Sequence, residues 1–262
     1  MEKKHILVTN DDGINAEGIK ILSSLLVENN PDLRLSVIAP DRERSAIGHA
    51  ITMHKPLRAE IISIDENTNL SGWAVNGTPS DCVKLAVVAI LDNKPRLVIS
   101  GINRGSNLGT DVLYSGTVSA AVEGYIMGIP SLAVSLTGNG EKKDYESASN
   151  FINRLFPLLM DCDTRQPMLI NINIPVNTGA IRGTRVTSLG SRRYRNTFEK
   201  RVDPRGMHYY WMAGEVIDDD PEETDSDTRA IREDYISVTP IRFKLTDREA
   251  MPNLENIVKQ VG

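Results

Sequence analysis

Cysteine is nearly absent from the 262-residue chain: Cys82 and Cys162 stand far apart, with no C-x-x-C pair and no histidine at ligand spacing. That excludes a disulfide framework and a zinc ribbon, and both thiols read as small buried apolar side chains in a reducing compartment. Long apolar runs are missing too. Stretches such as Leu85 to Leu91 stop far short of the ~18 to 20 residues that cross a bilayer, so no membrane span is expected. The first residues run straight into a short apolar segment without a long hydrophobic region or a small-residue cleavage site, which points to a cytoplasmic protein. Positive charge is not in excess: 30 Lys and Arg face 35 Asp and Glu, a net charge of −5, which argues against a nucleic-acid partner. G-x-x-x-x-G-K-[ST], G-x-G-x-x-G after the first strand, H-E-x-x-H and G-x-S-x-G are all absent.

What is present is ordinary globular composition, with 40% apolar and 25% charged residues, which rules out collagen, coiled coil and wholesale disorder. Charge is spread unevenly. Arg182 to Arg205 holds eight basic residues against two acidic ones, and Glu215 to Asp227 eight acids and no base. These are either two solvated surface segments or a basic arm near an anionic substrate. The tract from Asp218 to Asp227 reads as an exposed loop.

Short β-branched runs alternate with helical patterns, which predicts βαβ units and an α/β fold around a mostly parallel sheet. Strands are expected at His5 to Thr9, Leu33 to Ala39, Gly72 to Val75, Arg96 to Ser100, Pro130 to Leu136 and Met168 to Ile174. Helices are expected from Ala16 to Asn29, from an N-cap at Ser80 to Leu91, from Thr117 to Met127 and from Asp144 to Met160. An organisational boundary falls near 176–182. Residues 1–180 carry the alternating pattern, and residues 181–262 form a second region of short β-like pieces, acidic loop and terminal helix, open to being part of the same domain.

In an open parallel sheet, ligands bind beyond the carboxyl ends of the strands, and three places there carry unusual chemistry. Asn10-Asp11-Asp12-Gly13 leaves the first strand with two adjacent carboxylates, which repel unless a cation or shared proton compensates; Asp12 as a plain helix cap is the rival reading. Ser100 to Asn107 follows a buried strand, and Asn103 offers an amide oxygen of the type hard divalent cations take, or a simple turn. Tyr114-Ser115-Gly116-Thr117 opens a helix whose free N–H groups suit phosphate, or is an ordinary Ser/Thr cap. Together the three describe metal-assisted chemistry on a phosphate ester.

Five segments, Ile6 to Gly13, Ala39 to Ser45, Asn76 to Val83, Ser100 to Asn107 and Tyr114 to Ala121, closely resemble the SurE survival-protein family of metal-dependent 5′/3′-nucleotidases, densely over residues 5–136. The resemblance implies a phosphohydrolase of nucleoside monophosphates, a Rossmann-like three-layer core as the catalytic core over residues 1–180, one Mg²⁺ or Mn²⁺ per subunit, and a homodimer or homotetramer built partly by exchanged C-terminal elements. It also implies that residues 181–262 are a C-terminal oligomerisation region with an extended β-arm. Carried over by position, the metal ligands are Asp11, Asp12, Ser45 and Asn103, and Asn107, Asp111, Ser115, Gly116 and Thr117 line the phosphate pocket. Ser45 rests on the resemblance alone. The Asn76-Gly77-Thr78-Pro79 turn is expected to shape the pocket floor. The proton acceptor is Asp111 or one of Asp11 and Asp12, with no choice among them. A polyphosphatase or broad phosphatase would use the same site. A non-catalytic Mg²⁺-binding receiver-like module, which also places an acidic pair after its first strand, is the alternative of another class.

Overall fold

The computed structural model describes residues 4–66, 68–161, 167–176, 180–217 and 223–261; Cys162 and part of the acidic tract lie outside them. The chain opens with β1 (His5–Thr9), α1 (Glu17–Asn29) and β2 (Arg34–Pro40), then forms β3 (Ala59–Asp65), β4 (Leu70–Val75) and α2 (Pro79–Leu85). It continues with β5 (Leu97–Arg104), α3 (Gly116–Ile126), β6 (Ser131–Leu136), α4 (Lys142–Met160) and β7 (Leu169–Ile174). Then come β8 (Gly183–Val186), β9 (Arg193–Val202), β10 (His208–Ile217), α5 (Asp227–Arg232), β11 (Tyr235–Pro240) and α6 (Met251–Val258).

Nine strands make one sheet in the order β3-β4-β2-β1-β5-β6-β7-β11-β8. The stretch from β4 to β7 is parallel throughout, as the alternating pattern predicts. Side-chain alternation distributes the core between two faces. Ile6 and Val8 of β1 pack with Ile19, Leu22 and Leu26 of α1 and with Ile152 and Phe156 of α4. Leu7, between them, packs with Cys82 and Val83 of α2 and with Ala120 of α3. A strand covered on both faces has no solvent side, which is why β1 is an unbroken apolar run. From β1 the chain steps outward to β2 on one side and later to β5 on the other, so the crevice beyond the ends of β1 and β5 is the switch point of the sheet.

Three local expectations change. The cap of α2 is Thr78, not Ser80: its hydroxyl accepts from the Asp81 amide while the Asp81 carboxylate accepts from the Thr78 amide, a reciprocal box that Ser80 would not close. β3, which is not among the expected strands, forms an edge strand antiparallel to β4. β5 runs on through Asn103 to Arg104, with its register to β6 shifting between Ser100 and Asn103.

The sheet continues past 176–182, since β11 pairs antiparallel with β7 and β8 pairs parallel with β11. β9 and β10 stand apart as a two-stranded hairpin whose Phe198, Tyr210, Trp211 and Met212 are exposed. α6 buries none of its residues.

Candidate active site

The end of β1 turns sharply because Asn10 Nδ2 donates to the Gly13 carbonyl at 2.9 Å and Gly13 adopts a φ of +95°. A Cβ on Gly13 would stand 2.9 Å from the backbone carbon of Arg42, so the loop after β2 packs against this turn. Arg44 extends the contact, its amide donating to the Asp11 carbonyl at 2.7 Å. Asp11 is left 5% exposed. Its Oδ1 accepts from the Thr117 hydroxyl at 2.5 Å, and the first turn of α3 sits against it at Gly116. Asp12 Oδ2 accepts from the Arg104 amide at 3.0 Å, which joins the exits of β1 and β5.

These contacts set the electrostatics. Burial pushes the Asp11 carboxyl up to about 6, against the Thr117 hydroxyl that draws it down, and the charge of Asp12 adds to the rise. Asp12 is raised by burial as well, offset by the Arg104 amide, with the Glu43 carboxylate adding to the rise. Asp11 is a buried carboxylate with two further acids nearby, the half-buried Asp12 and the exposed Glu43, an arrangement that a cation would relieve.

Asn103 Nδ2 donates to the Gly105 carbonyl at 2.8 Å, which leaves its Oδ1 as the end available to another partner. The register shift before it needs Gly101, at a φ of +144°, because a Cβ there would run into the Val134 carbonyl oxygen. Asn107 is held by a buried network: its amide donates to Asn173 Oδ1 at 2.8 Å, its Nδ2 to Ser135 Oγ at 2.8 Å, and its carbonyl accepts from Asn171 and Asn173. Ser115 caps α3 by accepting from the Val118 amide at 3.1 Å, and its own O–H stays available as a donor.

Two expected members have side-chain partners of their own. Asp111 is clamped: Arg192 Nη1 donates to Oδ2 at 2.7 Å, and the Tyr194 hydroxyl reaches both carboxylate oxygens at 2.6 and 2.7 Å. Ser45 is brought to the site by Arg44, but its hydroxyl donates to Glu43 Oε1 at 2.7 Å. Among the described residues there is no cluster of three or more His, Cys, Asp or Glu able to hold a metal, so a cation here would rely on amide and hydroxyl oxygens beside the carboxylates.

A family profile described as Survival protein SurE matches residues 6–196. The chain belongs to the SurE family. It is 52% identical over 256 residues to the 5′-nucleotidase SurE of Pelotomaculum thermopropionicum, covering 97% of this chain and 95% of that one. It is 54% identical over 243 residues to the 5′-nucleotidase SurE of Moorella thermoacetica, covering 92% and 91%. The crystal structure of the SurE protein from Aquifex aeolicus superposes with a TM-score of 0.80 at 36% identity, over 97% of this chain and 99% of that one.

Sequence reasoning missed three contributors that this SurE fold assembles. Glu43 stands beside Asp12 and binds Ser45; an acid two residues before a candidate ligand was the available signal. Arg192 lies in the basic stretch, yet it faces Asp111 rather than solvent. Asp227, expected at the end of an exposed acidic loop, is fully buried and accepts from the amides of Gly109, Gly190 and Thr228. Nothing in the local sequence distinguishes it from its solvated neighbours.

Proposed function

We infer that the chain is a divalent-metal-dependent phosphomonoesterase that hydrolyses nucleoside 5′- and 3′-monophosphates to nucleoside and phosphate. The observation that carries this is the meeting of the buried Asp11 with the first turn of α3, which puts a cation-seeking carboxylate against an anion-binding helix start. Membership of the SurE family and the 5′-nucleotidase relatives support it.

The residues fit one Mg²⁺ or Mn²⁺. The donors are all hard oxygens, from Asp11, Asp12, Asn103 and Ser45, and they are too few for a full cage, which suits a cation that keeps several waters. Asn10 adds a buried Oδ1 that accepts no hydrogen bond among the described residues. When bound, the cation supplies charge stabilisation at phosphorus and lowers the pKa of a water. The protein does the positioning. Asp11 and Asp12 are oriented by Thr117 and the Arg104 amide. The Gly116 amide, the Ser115 hydroxyl and the second amide hydrogen of Asn107 are donors for the non-bridging oxygens, and they strengthen as charge builds there. Because Asp111 is committed to Arg192 and Tyr194, the proton acceptor is assigned to the Asp11 and Asp12 pair.

The same reading makes residues 181–262 the oligomerisation region of a homodimer or homotetramer, supported by the exposed apolar side chains of the β9–β10 hairpin and of α6. It includes a cytoplasmic location, supported by the buried free thiol of Cys82. Phosphate release from nucleoside 5′- and 3′-monophosphates, p-nitrophenyl phosphate and polyphosphate, each with Mg²⁺, Mn²⁺ or EDTA, is the test. Metal-dependent release from the monophosphates is expected. A folded sample that releases none with any metal overturns the reading.

A further inference from the structure

Glu123 is an acid in the second half of α3, a helix buried from Gly116 to Gly124, and it is itself only 3% exposed. An unpaired carboxylate at such a position is strongly disfavoured, so its partners say what it is for. Lys84, from the neighbouring α2, donates to Oε1 at 2.9 Å and supplies the compensating charge. His49 Nε2 meets Oε2 at 2.8 Å, and His49 comes from no helix. It lies four positions after Ser45, on the loop that follows β2.

That loop has little regular structure to hold it. Between Ser45 and His49 it turns through Ala46 at a φ of 54° and Gly48 at 55°. It is fastened instead by scattered tethers. The Arg44 amide holds the Asp11 carbonyl, the Gly48 amide holds the Tyr114 carbonyl at 3.0 Å, Thr78 Oγ1 holds the Ala50 carbonyl at 2.8 Å, and Asp81 Oδ1 accepts the Thr52 amide at 3.0 Å. Thr78 and Asp81 are the cap of α2, so the Asn76-to-Val83 segment acts as a clasp. His49 adds a side-chain tie from the loop to α3 beyond its first turn, less than two turns along the same helix from Thr117.

We propose that Glu123 and His49 form a positioning latch for the cation site: Glu123, acting through His49, locks the Ser45 loop to the helix whose first turn holds Asp11. This rests on the reading of Ser45 as a metal ligand. Its physical content is preorganisation. With the latch closed, the Ser45 hydroxyl and the Asp11 carboxylate belong to one rigid body, and less ordering is needed when a cation binds.

The test is Mn²⁺ affinity, by isothermal titration calorimetry and by the electron paramagnetic resonance signal of free Mn²⁺, on the full-length wild type and on His49→Ala, His49→Leu, His49→Gln and Lys84→Ala. Thermal unfolding in EDTA establishes that each variant is folded. His49→Leu keeps a side chain beside Phe243, whose ring lies 6.0 Å from that of His49. His49→Ala and His49→Leu are expected to weaken Mn²⁺ binding by about 10- to 100-fold while kcat at saturating Mn²⁺ stays within about threefold. His49→Gln, which keeps an N–H donor for Glu123, restores most of the affinity. Lys84→Ala removes the other partner of the same carboxylate and leaves the affinity within about twofold. Unchanged affinity in both His49→Ala and His49→Leu, or an equal loss in Lys84→Ala, overturns the latch and leaves the site reading standing. A wild type that binds no Mn²⁺ overturns the site reading itself, and the latch with it.

Discussion

Gly116 and Asp11 are in contact: a Cβ on Gly116 would stand 2.8 Å from the Asp11 Cβ and 2.9 Å from its Oδ2. The helix start can approach the carboxylate this closely only because residue 116 has no side chain. Gly116→Ala must therefore push α3 away from Asp11 and from the Arg44 carbonyl, whose oxygen would stand 3.2 Å from the new Cβ. We expect kcat/KM to fall about 100-fold with the far-ultraviolet dichroism unaltered, because small misplacements of reacting groups cost that much. A variant with wild-type kcat/KM contradicts the arrangement.

Asp11 links pH to stability. Its folded-state carboxyl is raised from 3.8 to about 6, so its contribution to stability is fully present below about pH 4 and is lost as pH rises through about 6. Without metal, the wild type carries an unfavourable buried charge at neutral pH, and that difference corresponds to about 3 kcal/mol at most. Asp11→Asn in EDTA should thus unfold at higher urea concentration than the wild type at pH 7.5, with the gap closing towards pH 4, while metal-dependent turnover is abolished. A gap independent of pH goes against the electrostatics, and undiminished turnover goes against the ligand role.

Asp111 separates two roles. If its carboxylate only anchors the turn through Arg192 and Tyr194, Asp111→Asn keeps hydrogen-bonding capacity there and should retain kcat within about tenfold, with an unmoved pH–rate profile. A loss of about 1,000-fold with a displaced acidic limb would return Asp111 to proton transfer.

Asp227 holds together segments remote in sequence, since Gly109 and Gly190 both donate to it at 2.9 Å. Asp227→Ala leaves three buried amides without an acceptor, and we expect a loss of about 3 kcal/mol in urea unfolding, together with reduced turnover as the 109–113 turn loosens. A change below about 0.5 kcal/mol would mean that water replaces the carboxylate without cost.

Much was legible in the sequence by itself, for a physical reason. The α/β fold, the strand at His5–Thr9, the helix from Glu17 and the helix start at Ser115–Thr117 all follow from periodicity, capping and turn chemistry, which act over a few residues. The first-strand carboxylates could be singled out because any doubly wound sheet presents its strand ends to one crevice. Where local chemistry was ambiguous, reading failed by small steps: Thr78 rather than Ser80 caps α2 because the Asp81 carboxylate completes the box.

Tertiary structure alone decided who partners whom. Asp111 meets an arginine 81 positions later, Gly109 meets Asp227 at a separation of 118, and His49 meets Glu123 at 74. Such contacts have no periodic signature, because they depend on how finished elements pack and on which buried polar groups then lack partners. The sequence determined which polar residues stand at the strand ends, and packing decided which partners each of them meets.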